Sequence, residues 1–194
     1  MLKIITGSAK GKTLKTLEGE ATRPTSERIK EAIFSSLQFD LEERRVLDLF
    51  AGCGQLGLEA LSRGSRSVTF VDASREAMEI VKENARRCGF FDRCRYAVSD
   101  YRNFVRKASG RDIYDLVLID PPYAAECCAE AVARLEAAGV LADGAIVVCE
   151  CGTEPFDPAS FAHFDILKST HYGKKTFVNI LLYRKPEEGD GETP

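Results

Sequence analysis

The chain has 194 residues, 44% hydrophobic and 29% charged, a length and balance that fit one globular domain and exclude a disordered chain. No apolar run approaches the roughly 18–20 residues that span a bilayer, and the opening MLKIITGSAKGKTLK lacks the apolar stretch and cleavage site of a secretory signal, so a soluble cytoplasmic protein without membrane contact is expected. The net charge of −3 argues against a nucleic-acid partner taken alone, but residues 1–30 carry +4 and residues 86–111 carry +6 on an otherwise acidic chain. Two such segments can meet as one phosphate-attracting face, although for 86–111 a merely solvated surface explains the charge equally well.

In chain order, Leu2 to Thr6 and Lys12 to Thr16 can pair as a small hairpin, followed by a capped helix from about Thr25 to Leu37 with Ile29, Ala32, Ile33 and Leu37 as its buried stripe. Arg23, Arg28 and Lys30 lie beside that stripe. Short apolar runs at 46–50, 68–71, 94–98, 115–120 and 145–150 then read as strands buried on both faces. Between them lie helices. The clearest starts near Ser74 and carries Ala77, Ile80, Val81, Asn84, Ala85 and Cys88 on one stripe, stopped by Gly89. Another carries Cys128, Ala131, Val132 and Leu135 before Gly139. Strand–helix alternation argues for a doubly wound α/β fold, a mostly parallel sheet with helices on both faces. Runs at 165–172 and 176–184 around a Gly-Lys-Lys connection add an antiparallel C-terminal hairpin, and 186–194 reads as a disordered acidic tail after a single domain spanning 1–185.

Seven cysteines without a CxxC pair, and two histidines at no ligand spacing to them, signal neither a disulfide framework nor a metal site. The chemistry sits elsewhere. Immediately after the first strand, Gly52, Gly54 and Gly57 form a GxGxxG that opens a helix, with Asp72 ending the second strand eighteen residues after Gly54. Glycines let a ligand approach the backbone, the helix N-terminus favours an anion, and the acid can accept ribose hydroxyls. A dinucleotide and an amino-acid-bearing nucleoside both satisfy that pattern. Asp120-Pro121-Pro122-Tyr123 follows the fourth strand, beside the crevice where open α/β sheets bind ligands. An exocyclic base amine is a poor nucleophile because its lone pair is delocalised into the ring. A site for it must accept its hydrogens, which Asp120 and a proline-held carbonyl can do, while Tyr123 offers a face for stacking on an extruded base.

Together with GSAKGKTL (7–14), RPTSERIKEAIFSSL (23–37), DLFAGCGQLGLEALSRG (48–64) and YGKKTFVNILLY (172–183), the sequence resembles the RsmD-like branch of class I S-adenosylmethionine-dependent methyltransferases over nearly its whole length. The resemblance implies a Rossmann-like class I methyltransferase fold with an N-terminal extension over 1–40, and transfer of a methyl group from S-adenosylmethionine to a guanine N2 of 16S ribosomal RNA. The small ribosomal subunit or an assembly intermediate would be the partner, and the protein would act as a monomer. It further implies that Gly52, Gly54 and Gly57 line the methionine end of the cofactor, that Asp48 faces its ammonium, and that Asp72 holds the ribose. Phe50 and Ala73 would lie beside them, and Asp100 with Tyr101 would meet the adenine, although Asp100 also reads as a helix cap. Lys10, Lys12, Arg23, Thr25 and Arg28 would touch RNA or the cofactor's rim.

Three other readings share parts of the pattern. An adenine-N6 enzyme would use the same DPPY chemistry. A nicotinamide-dependent oxidoreductase needs a His or Lys near DPPY, and none is evident. A non-catalytic RNA-binding assembly factor would have no use for an intact glycine loop and DPPY. Cys53 lies within the loop, but a covalent role there would need an electrophilic ring carbon and an activating base.

Overall fold

The alternating strands and helices assemble into one seven-stranded sheet in the structure, a computed structural model that describes residues 2–17, 24–122, 127–152, 160–173 and 176–186. The elements in order are α1 (Pro24–Ser36), β1 (Arg45–Asp48), α2 (Gln55–Ser62), β2 (Ser67–Asp72), α3 (Arg75–Cys88), a 3₁₀ turn (Phe91–Arg93) and β3 (Cys94–Val98). They continue as α4 (Tyr101–Ala108), β4 (Tyr114–Ile119), α5 (Cys128–Ala137), β5 (Leu141–Cys151), β6 (Phe164–Tyr172) and β7 (Thr176–Tyr183). The strand order is β3-β2-β1-β4-β5-β7-β6, with the first five parallel and β7 antiparallel to both its neighbours. The order reverses beside β1, so the crevice between the carboxyl ends of β1 and β4 is where a ligand is expected.

Period-two alternation along each strand divides the core into two layers. Leu116 and Leu118 of β4 pack with Ile33 of α1, Leu58 of α2 and Val81 of α3, whereas Val117 and Ile119 pack with Val105 of α4 and Val132 of α5. The helix read from Ser74 forms with its cap and its stop, though its buried stripe includes Met78 and leaves Ile80 half-buried. Ser74 Oγ accepts the Ala77 N–H at 3.1 Å, and Gly89 terminates the helix in the left-handed region with φ 81°. No helix among the described residues is long and apolar enough to cross a membrane.

Two expectations change. The strand at 94–98 is not buried on both faces. It is the edge of the sheet, and its residues are exposed or half-buried. The N-terminal hairpin is shorter than expected: Lys3 bridges Thr13 antiparallel, flanked by hydrogen bonds from Leu14 N–H to Leu2 O (2.9 Å) and from Ile4 N–H to Lys12 O (3.0 Å). Backbone groups outside this pairing meet the helices: the N–H groups of Ile5 and Thr6 donate to the two carboxylate oxygens of Glu59 (2.8 and 3.0 Å), and that of Lys15, on the outer edge of its strand, donates to Asn84 Oδ1 (2.8 Å). The acidic tail, apart from Pro186, lies outside the described residues.

Candidate active site

β1 ends on Asp48, and the chain turns through Gly52 (φ 51°) and Gly54 (φ 80°) before α2 begins. Both angles fall where a side chain is strained, so glycine is required there. Gly57 serves a different purpose: a Cβ on it would stand 2.4 Å from Phe70 Cε1 and 2.8 Å from Val68 Cγ1, so its bareness lets α2 settle on β2. Its N–H donates to Asp48 Oδ2 at 3.0 Å.

Asp48 is 1% exposed, and its Oδ1 has no hydrogen-bond partner among the described residues. Burial pushes its pKa up to about 7; the Gly57 N–H opposes the rise and the nearby negative Asp72 adds to it. An unsatisfied buried carboxylate oxygen is costly in isolation and suits a ligand that brings a cationic donor. Asp72, at the end of β2, accepts the Gly52 N–H through Oδ2 (2.9 Å) and the Ser74 N–H through Oδ1 (2.8 Å). It therefore ties the glycine loop to β2, and each carboxylate oxygen keeps a lone pair for a further donor. Ala73 is exposed beside it.

The next loop supplies an aromatic wall. Phe50 and Tyr101 approach with ring centroids 5.1 Å apart, and the Tyr101 hydroxyl donates to Glu130 on α5 at 2.8 Å. Asp100 is the N-cap of α4, accepting the Arg102 N–H at 2.9 Å, so the capping alternative for this residue is realised. The Arg102 guanidinium lies 4.6 Å from the centre of the Tyr101 ring and donates to both oxygens of Glu130 (2.7 and 2.6 Å), which also receives Arg134. This cluster holds the Glu130 carboxyl well below the usual carboxylate range, chiefly through Arg102, then Arg134 and Tyr101.

Asp120 follows β4 directly. β1 and β4 end side by side, Asp48 pairing with Leu118 and Leu49 N–H donating to Leu118 O at 3.0 Å, so the end of β4 stands beside the start of the glycine loop. Asp120 is half-buried, Pro121 buried and Pro122 exposed, while Tyr123 lies outside the described residues. The structure thus brings Asp48, Phe50, Gly52, Gly54, Asp72, Asp100, Tyr101 and Asp120 to one edge of the sheet.

The basic candidates separate. Lys30 on α1 meets Glu59 on α2 at 3.5 Å, and four residues later the Phe34 carbonyl accepts from Arg63 at 3.2 Å, so α1 runs alongside α2 in the same direction. Its first turn, which contains Thr25 and ends near the exposed Arg28, is therefore at the glycine-loop end. Arg23 lies outside the described residues. Lys10 and Lys12 are exposed at the opposite edge. Their loop stands on the last turn of α2, where Ser8 N–H donates to Ser62 O (2.8 Å) and Ala9 N–H to Ser62 Oγ (2.9 Å), and Lys12 lies near Cys88 at the end of α3. At 1.5 Å per residue α3 is about 21 Å long, so its end near Lys12 lies well away from its start beside Asp72.

Sequence reasoning placed Lys30 beside the helix's apolar stripe and missed its partner Glu59, although both are essentially fully buried. Lys30 Nζ donates to Lys3 O at 2.8 Å, and Glu59 also receives Arg63 at 2.9 Å. The signal was available: Lys30 stands three residues before Ile33 and seven before Leu37, on their side of the helix, and Glu59 interrupts an apolar run.

A family profile described as "Conserved hypothetical protein 95" matches residues 2–181. Ribosomal RNA small subunit methyltransferase D of Escherichia coli strain K12 is 29% identical over 193 residues, covering 98% of this chain and 93% of that protein. The solved structure of yhhF from Escherichia coli superposes with a TM-score of 0.83 at 28% identity, covering 95% of this chain and 99% of that one. A more distant neighbour, SMU.776, was solved in complex with SAH; it shares 13% identity and a TM-score of 0.66 over 81% of this chain and 49% of its own. The fold is accordingly the Rossmann-like class I methyltransferase fold that the motifs imply.

Proposed function

The chain belongs to the conserved hypothetical protein 95 family, and on that premise we propose that it is an S-adenosylmethionine-dependent methyltransferase acting on the exocyclic N2 amine of a guanine in 16S ribosomal RNA, within the small subunit or its assembly intermediate. The observation that carries the reading is the buried, unpartnered Asp48 Oδ1 above the glycine loop, next to the end of β4 that presents Asp120. The relative named for small-subunit ribosomal RNA methylation supports the substrate class, and the Asp120-Pro121-Pro122-Tyr123 sequence supports an amine as acceptor.

The residues present fit the cofactor. Asp48 would receive its ammonium, which supplies the donor and the positive charge that Oδ1 lacks. Asp72 would accept the ribose hydroxyls with its remaining lone pairs, and Phe50, Ala73, Asp100 and Tyr101 would bound the adenine. When bound, S-adenosylmethionine supplies an electrophilic methyl on a cationic sulfur. Asp120 and the carbonyls held by Pro121 and Pro122 would accept the hydrogens of the target amine, draw its lone pair out of conjugation and orient it, with Tyr123 stacking on the base. Arg28, Thr25 and Arg23 would meet RNA close to the site, and Lys10 and Lys12 would contact it at a distance.

The test is incubation with methyl-labelled S-adenosylmethionine and small subunits lacking the modification, followed by digestion and identification of the labelled nucleoside. Label in N2-methylguanosine of 16S RNA is the expected result. Label in N6-methyladenosine would retain the chemistry and discard guanine, and bound cofactor without any label would favour a non-catalytic assembly factor.

A further inference from the structure

We propose that Asn84 is a positioning residue that couples the cofactor loop to the N-terminal segment, so that binding of S-adenosylmethionine or its product is felt at the backbone of Lys15. The proposal rests on the cofactor reading above and extends it to a residue outside the pocket.

Asn84 is wholly buried on α3, and its amide joins three parts of the chain. Nδ2 donates to the Cys53 carbonyl at 2.9 Å and to the Lys15 carbonyl at 3.0 Å, while Oδ1 accepts the Lys15 N–H at 2.8 Å. The reverse amide orientation would set Oδ1 against two carbonyl oxygens, so only this one satisfies the site. With Lys15 the amide pairs as a neighbouring strand would, using both backbone groups of one residue.

Cys53 stands between the two glycines of positive φ, and its carbonyl orients the peptide that leads into Gly54. Each neighbouring loop group is anchored to a different partner. Gly52 N–H donates to Asp72 on β2, Gly54 N–H donates to Ala51 O at 2.6 Å, and Cys53 O is held by Asn84 on α3. Asn84 is therefore a hydrogen-bonded link by which the loop's shape depends on α3 and on the segment bearing Lys10 and Lys12. The Lys15 side chain reinforces the junction from outside through Glu83, at 2.6 Å. A ligand that stiffens the loop must also stabilise the Lys15 pairing, and whatever holds the segment must in turn favour the ligand, because coupling free energy is reciprocal.

The experiment measures hydrogen exchange at the Lys15 amide with and without S-adenosylhomocysteine, together with its Kd, in wild type, Asn84→Ala and Asn84→Asp. The aspartate is isosteric and keeps the acceptor for Lys15 N–H while removing the Nδ2 donor to both Cys53 O and Lys15 O, so it breaks the junction without opening a cavity if the alanine variant folds poorly. Expected are slower Lys15 exchange on ligand binding in wild type and loss of that response in both variants. The Kd should rise about tenfold, and kcat at saturating S-adenosylmethionine should stay within about twofold of wild type. Unchanged Lys15 exchange in wild type with ligand bound overturns the coupling, as does wild-type affinity in Asn84→Asp, and both leave the cofactor reading standing. Failure of wild type to bind the ligand at all overturns the cofactor reading and the coupling with it.

Discussion

Replacing Asp48 by Asn should stabilise the free protein at alkaline pH while impairing cofactor binding. The carboxyl's ordinary pKa of 3.8 rises to about 7 in the fold, a difference of roughly three pH units, which at ~1.4 kcal/mol each sets an upper bound of about 4 kcal/mol on the penalty carried by the ionised form. The native state then binds more protons than the unfolded state between about pH 4 and pH 7. Stability from this group is fully retained below the unfolded value and is lost as pH rises through the folded one. Asparagine removes the charge and keeps an acceptor for Gly57 N–H, but its buried NH₂ would lack a partner, a cost of about 1–3 kcal/mol. A net gain near 2 kcal/mol is expected above pH 8, or roughly 4–8 °C in Tm for a chain of this size, with no gain at pH 4. The assay is urea and thermal unfolding of both proteins from pH 4 to pH 8.5, with S-adenosylhomocysteine titrated in parallel. Because the other ionisable groups are common to both proteins, their contributions largely cancel in the difference. A stability difference that does not change with pH would refute the reasoning, as would full ligand affinity in the variant.

Gly57→Ala should cost about 1–3 kcal/mol in urea unfolding, since its Cβ would collide with the rings and branches of Phe70 and Val68; an unperturbed midpoint would mean that α2 shifts freely on β2. Glu59→Ala should cost about 3–5 kcal/mol, because Lys30 would be left buried without its counter-charge, and limited proteolysis should then cut within residues 2–17 first. Asp120→Ala should abolish methyl transfer with S-adenosylhomocysteine affinity within about threefold of wild type, measured by calorimetry; lost affinity would place Asp120 in the cofactor pocket instead. Lys10→Glu with Lys12→Glu should weaken binding to small subunits and flatten its salt dependence, leaving the cofactor affinity of the free protein intact because both side chains are exposed and the Lys15–Asn84–Cys53 junction is made by other groups; an unaltered salt slope would remove them from the interface.

Strand and helix identity was legible because each rests on local periodicity. Alternating β-branched runs, the Ser74 cap and the Gly89 stop are properties of neighbouring residues and need no tertiary information. The glycine loop, Asp72 and the acid after β4 were legible for a similar reason: in a doubly wound sheet, residues at strand ends converge whatever the details of packing. Asn84 was read correctly as a buried helix position, yet its partners lie 31 and 69 residues away, and no local pattern reports such distances. Burial of the β3 strand was misread because the 94–98 run has strand composition, while its place at the sheet's edge is set by strand order.

By itself, then, the sequence determined the element types, the doubly wound class and the group of residues at the carboxyl edge, since these follow from periodicity and from chain positions next to strand ends. Only the tertiary structure decided how the N-terminal segment is used. Side chains of α2 and α3 capture its backbone and draw Lys30 into a buried pair with Glu59. They thereby dock the hairpin on α2 and α3, with the loop bearing Lys10 on the last turn of α2 and Lys15 joined to the glycine loop through Asn84. The physical reason is satisfaction of buried polar groups: a two-stranded hairpin is marginal in water by itself, and the Glu59 carboxylate and Asn84 amide, which must be satisfied once buried, find partners in the backbone groups the hairpin leaves outside its own pairing.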